Sequence, residues 1–169
     1  MRIEVSACTD TGRKRSANED FHAFDAKLGL FVVVGLVYYA FAAIEGMIMR
    51  IYAVEPIPLI GSEQYYGILT AHPLVAIFGS TYMLVFGAFL FLVPFLMKKP
   101  IWSYRMAAWT FWLIAVGTFV FWFDGFVSHY APLYTLYWPL PADFTQFHPL
   151  SGAIFISGIA LVMVGTALF

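Results

Sequence analysis

Residues 65–97, YYGILTAHPLVAIFGSTYMLVFGAFLFLVPFLM, run for 33 positions without an Asp, Glu, Lys or Arg. A helix needs about 20 apolar residues to cross a bilayer core, so this stretch is long enough to span one with tilt to spare. Its one basic side chain is His72, in Thr70-Ala71-His72-Pro73. Ionisable groups inside a membrane helix are costly, and such a group needs a polar partner or a metal. His72 is therefore the first candidate for a functional residue.

The rest of the chain agrees with a membrane setting. Of its 169 residues, 62% are hydrophobic, 20% aromatic and only 11% charged, with a mean hydropathy of +0.81. A soluble domain has no core large enough to hide that composition. Working outward from residues 65–97, a first span runs from Leu28 to about Ile51, interrupted by Glu45 and closed by Arg50. A loop with Pro56, Pro58 and Gly61 follows it. Lys98-Lys99-Pro100 ends the second span, which Pro73 and Pro94 should kink or tilt. A third span covers about Trp102 to Trp122, and a proline-punctuated loop to Phe147 carries Asp124, His129 and Asp143. A fourth span runs from about Pro149 to Phe169. The fold class expected is an all-α membrane protein of four transmembrane helices, with residues 1–27 as a polar leader and 28–169 as the membrane domain.

Basic residues set the orientation, because Lys and Arg are retained on the cytoplasmic side. Arg2, Arg13, Lys14, Arg15 and Lys27 lie in the leader, and Lys98, Lys99 and Arg105 flank the turn between spans two and three; Arg50 alone lies at the opposite end. The N-terminus is expected in the cytoplasm. His72, seven residues after Tyr65, then lies about 10 Å below the outer surface. An imidazole there can donate a hydrogen bond to a neighbouring helix, or serve as an axial ligand of a haem in an apolar, aromatic bundle. Spacing alone leaves both open.

Arg50, Tyr66 with Thr70-Ala71-His72, Val93-Pro94, Arg105-Met106 and Tyr137-Trp138-Pro139-Leu140 together resemble, in order and interval, the first four helices of haem-copper oxidase subunit I. The resemblance implies a partial bundle of that subunit in a prokaryotic plasma membrane, with His72 as an axial ligand of the low-spin haem and Arg50 and Tyr66 near the cofactor. It also implies the remainder of subunit I, further oxidase subunits and a cytochrome or quinol donor as partners. Copper and a second haem belong, on this resemblance, to a full-length protein, because the histidines that bind them come from later helices. His22, His129 and His148 are expected in the leader and the outer loop. The chain is thus expected to be truncated or split, and inactive as an oxidase by itself. Pro100-Ile101-Trp102 and Ala107-Ala108 stand where one oxidase type carries an Asp and Asn proton entry, so the resemblance is to the B-type enzymes.

The leader resembles something else. Thr9 to Asp20 followed by Leu30-Phe31-Val32-Val33 is similar to the opening strands of metal-dependent serine/threonine phosphatases, in which the residues matching Arg15, Glu19 and Asp20 serve phosphate and metal. One carboxylate pair cannot supply the converging oxygens that a magnesium or manganese site needs. A chimera is expected, with the leader lacking regular structure. Two readings compete with an oxidase segment: a non-enzymatic four-helix membrane module, and a phosphatase relic fused to membrane helices. The single cysteine, Cys8, rules out an internal disulfide or a Cys-rich metal site within this chain. No phosphate-cradling glycine loop, nucleophile triad or nucleic-acid patch is present.

Glu45 and the aromatic residues complete the candidates. Glu45, about one turn before Arg50, suits an intrahelical pair, a buried neutral carboxyl or a proton path. Trp102, Trp122 and Trp138 fit interfacial belts, whereas Trp109 and Trp112 suit packing between helices. Asp124 should cap the third span. Gly152, Gly158 and Gly165 should allow close helix contact in the fourth.

Overall fold

A computed structural model describes residues 4–55, 60–99, 101–132, 137–138 and 148–169, and for residues 4–27 and 149 the backbone alone. The order of elements is α1 (Glu4–Val54), α2 (Ser62–Leu74), a π-helical segment (Val75–Thr81), α3 (Tyr82–Met97), α4 (Tyr104–Val127) and α5 (Pro149–Leu168). Among the described residues, four helical stretches are long and apolar enough to cross a membrane: Leu28–Val54, Ser62–Met97, Tyr104–Val127 and Leu150–Leu168. They coincide with the expected spans to within a few residues at each end.

Contacts fix the direction of each helix. Positions 46, 35 and 31 of α1 meet His72, Leu84 and the glycine at 87 in turn, so α1 and the long α2–π–α3 helix are antiparallel. Tyr38 reaches Ala115 and Glu45 reaches Trp122, so α1 and α4 are parallel. Gly117 meets Gly158 and Gly165 meets Ile114, so α5 returns antiparallel to α4. The end of the bundle holding Val54, Ser62 and Val127 is called the upper end below.

The core divides by height. Phe31, Met83, Leu90, Phe111 and Ile114 fill the lower half. Tyr38, Leu74, Val75, Phe121, Tyr130 and Phe155 fill the upper half. Large apolar side chains such as Leu36, Phe95 and Val164 point outward from the bundle. That outward surface is what a lipid phase or further helices would cover.

Two elements depart from the sequence reading. The leader was expected to lack regular structure, yet α1 continues upstream to Glu4. The physical reason is continuity: no proline precedes Pro56, and adding residues to an existing helix avoids the cost of nucleation. No strand occurs among the described residues, so the phosphatase-like stretch lacks the strand conformation that its resemblance implies. The side chains of Arg15, Glu19 and Asp20 lie outside the described residues, as do Pro139, Leu140 and Asp143.

The second departure follows Pro73. Its ring removes a backbone donor from the helix interior. Two residues later the helix widens into the π segment, where the Thr81 hydroxyl donates to the Ala76 carbonyl five residues back, at 3.0 Å. The expected kink is thus accommodated as a wider turn within one unbroken span. Gly79 lies in that segment with its backbone against the Tyr38 ring and the Thr118 methyl, where a Cβ would come within 2.7 and 2.8 Å. Only glycine lets the wide turn press so closely on α1 and α4.

Candidate functional site

His72 is carried on α2 at the upper end, one residue before Pro73. Its imidazole lies over Gly46 of α1, where a Cβ would meet Cε1 at 3.1 Å, Nε2 at 3.6 Å and Nδ1 at 3.8 Å. The ring is therefore turned into the bundle, onto the face that α2 shares with α1. Nδ1 is buried with no hydrogen-bond partner, and it is the one ring nitrogen of the two in that state. A buried polar atom left alone costs about 1–3 kcal/mol, so Nδ1 calls for a partner.

The elements around it are drawn tightly together. A Cβ on Gly125 of α4 would meet the Ala71 Cβ at 3.7 Å, and one on Gly67 would meet the Gly125 carbonyl at 2.8 Å. Small residues thus bring α2 and α4 to near-backbone contact beside His72. Above it, the Tyr52 and Tyr65 rings stack at 4.6 Å and tie the tops of α1 and α2 together. Thr70 returns its hydroxyl to the Tyr66 carbonyl at 3.0 Å, which satisfies a buried polar group inside its own helix.

Glu45 adjoins the glycine on which His72 rests. It is 6% exposed. Oε1 accepts a hydrogen bond from Trp122 Nε1 of α4 at 2.6 Å, while Oε2 is buried without a partner. No ion pair joins Glu45 to Arg50 among the described residues. The spacing of five explains it, because helix neighbours are three or four apart. Trp122 is consequently a cross-helix donor packed beside Phe41 and Phe119. Trp102 and Trp138 are highly exposed, as a belt requires, but Trp109 and Trp112 also face outward and do not pack between helices of this bundle.

The other candidates fall around the site at different distances. Arg50 is exposed and lies one turn beyond Gly46 on α1. Tyr66 is 52% exposed, nearly two turns before His72. Neither makes a described polar side-chain contact with His72. His129 leaves α4 in a left-handed conformation, φ 54°, against Gly67. His148 is exposed and caps α5, its Nδ1 accepting from Leu150 N at 3.2 Å. Asp124 is buried in the last turn of α4, where the Ser128 hydroxyl donates to both its carbonyl and its Oδ1. Among the described residues no group of three His, Cys, Asp or Glu side chains comes together as a metal site.

One imidazole, inside a membrane bundle, with a buried nitrogen and an apolar aromatic setting, has the donor chemistry of an axial haem ligand. Comparison with protein-family models matches residues 27–169 to the family Cytochrome C and Quinol oxidase polypeptide I. The chain belongs to this family. The match starts at the foot of the first span and covers every membrane helix of the oxidase-like domain, leaving only the leader outside it. No curated protein and no solved structure matches the chain. Membership in the oxidase polypeptide I family is therefore carried by the family match and by four spans of the right length and order.

Proposed function

We propose that this chain forms part of the catalytic subunit of a respiratory terminal oxidase, in which His72 is an axial ligand of a low-spin haem. The observation that supports it best is the setting of His72, its ring against Gly46 and its Nδ1 buried; Nε2 is proposed as the nitrogen for iron. The haem supplies reversible one-electron chemistry at its iron when bound. This chain's residues do the holding: Gly46 gives the imidazole a flat seat, and Gly67 with Gly125 close α2 on α4 beside it. The apolar side chains of the upper core keep water away. Arg50 and Tyr66, on the outer side of His72, are proposed to lie toward the cofactor's edge.

Oxygen reduction on this reading takes place with copper and a second haem held by histidines other than the four in this sequence. A cytochrome or quinol donates the electrons, and the remaining oxidase subunits and the lipid bilayer complete the surroundings. Lys98, Lys99 and Arg105 gather at the lower end of the bundle and Arg50 stands at the upper, which supports a cytoplasmic lower end and N-terminus; the membrane is proposed to be a prokaryotic plasma membrane. Pro100 to Trp102 and Ala107-Ala108 support a B-type enzyme. The leader is proposed to be a chimeric extension without phosphatase chemistry, because Glu19 and Asp20 are too few oxygens for a magnesium or manganese site.

Reduced-minus-oxidised spectra of membranes carrying the chain, with and without His72→Ala, test the proposal. A haem band that disappears in the variant is the expected result. A well-inserted chain with no band, or a band that survives the substitution, would leave a non-enzymatic membrane module as the reading. Manganese-dependent hydrolysis of a phosphopeptide would restore the phosphatase reading.

A further inference from the structure

Three buried polar atoms toward the upper end lack partners: Glu45 Oε2, His72 Nδ1 and Asp124 Oδ2, of which Asp124 already receives the Ser128 hydroxyl on its other oxygen. Glu45 Oε2 lies on α1 and His72 Nδ1 on α2. Glu45 is the neighbour of Gly46, and a Cβ on Gly46 would stand 3.8 Å from His72 Nδ1. On α4, Trp122 holds the other Glu45 oxygen, and Gly125, one turn above, touches Ala71 beside His72. Glu45 and His72 thus each adjoin a residue of the α1–α2 contact, and α4 packs against both helices there. Unpaired buried polar atoms are rare in folded proteins, and an acceptor on α1 with an imidazole nitrogen on the adjoining α2 call for a common explanation.

The chemistry supplies one. Neutral imidazole with Nε2 bare carries its hydrogen on Nδ1, and that hydrogen needs an acceptor. A carboxyl oxygen is such an acceptor in either protonation state of the carboxyl. We infer that Glu45 is the positioning residue for His72, its Oε2 accepting the Nδ1 hydrogen directly or across one water while Trp122 anchors Oε1. The α1–α4 bond thereby fixes the tautomer and the orientation of a ring on α2. Histidines that ligate metals depend on such a partner on the second nitrogen, and its loss weakens metal binding by about 10–100-fold.

This inference rests on the reading of His72 as a haem ligand for the bare Nε2 and for its consequence; the hydrogen bond itself is testable on the full chain without haem. In the detergent-solubilised chain labelled with nitrogen-15 at histidine, the His72 signals are identified by their absence in His72→Ala. The expected result is a single Nδ1–H tautomer in the wild type and in Glu45→Gln, which keeps an acceptor oxygen, and a mixture of tautomers in Glu45→Leu. Persistence of the single tautomer in a folded Glu45→Leu variant overturns the inference. Should Glu45→Leu not fold, the reciprocal measurement decides. His72→Phe keeps the ring and removes the donor, so the infrared carboxyl band of Glu45 should shift, and an unmoved band overturns the inference. In haem-loaded protein, Glu45→Leu should retain haem about 10-fold less tightly or worse, with Glu45→Gln restoring most of it. A wild type that shows the tautomer but never takes up haem would defeat the oxidase reading and leave this hydrogen bond standing.

Discussion

Helix α4 meets its two neighbours in opposite ways. Against α5 the backbones themselves touch: a Cβ on Gly117 would lie 2.6 Å from the Gly158 carbonyl, and one on Gly158 would lie 2.8 Å from the Gly117 carbonyl. Against α1 the backbones stand apart and long side chains bridge the gap. Tyr38 donates to the Ala115 carbonyl at 2.7 Å, and Glu45 receives Trp122 at 2.6 Å. Both bridges link residues 77 apart in sequence and are seven residues apart on each helix. A spacing of seven returns to nearly the same helix face, so the two bonds are successive rungs between parallel helices. Close backbone packing has no slack. A rung of side chains leaves room between helices.

This contrast ranks the substitutions that should break it. Gly158→Leu should have the largest effect, because a side chain there meets backbone, which cannot yield. About 3 kcal/mol or more of lost stability is expected, read by unfolding in a denaturing detergent. Gly46→Leu comes second and acts on the site. It should drive the His72 ring from its seat and abolish the haem band while circular dichroism keeps its helical signal, since the obstructed group is a side chain. Equal losses of helicity and haem would show that the seat is as rigid as the glycine contact. Tyr38→Phe removes the lower rung alone, at about 0.6 kcal/mol for a hydrogen bond between membrane helices, and should leave His72 chemistry unchanged. The smallest effect is expected at Tyr130, in the loop after α4. Burial, and then the Asp124 carboxyl, push its phenol up from the ordinary tyrosine value. A folded value above the unfolded one gives stability that is complete below the unfolded value and lost as pH rises through the folded one. Tyr130→Phe should remove that alkaline loss, seen as a flatter profile of stability against pH on the alkaline side.

The ranking also separates what the sequence discloses from what it hides. The spans are legible because charge is excluded from them, and Arg50, Lys98 and Lys99 mark their ends. Gly158 and Gly165 are legible because small residues on a membrane helix imply close approach. His72 is legible as an inward group because lipid would not tolerate it. Trp122 shows in sequence only its place near a helix end; its bond to Glu45 depends on the register between α1 and α4. That register is set by residues 77 positions away, which no local pattern reveals. Gly46 is hidden for the same reason. The helical leader is hidden because its composition favours solvent, and its continuity with α1 is a cooperative property of the whole helix.

The π segment after Pro73 makes the long span a swivel joint. A wider turn amounts to extra chain wound into the helix, and such turns recur at functional positions. Everything on its upper side, His72 included, therefore has a rotational phase relative to α3 that an ordinary α-helix of the same length would not give. Each residue contributes about 100° of rotation. Removing one residue between Val75 and Thr81 would rewind the segment and turn His72 toward a different neighbour, although α2 and α3 would each keep their own contacts unaltered in sequence. The aim of this imidazole is thus encoded several residues downstream of it, in the count of positions along the helix and not in their identity.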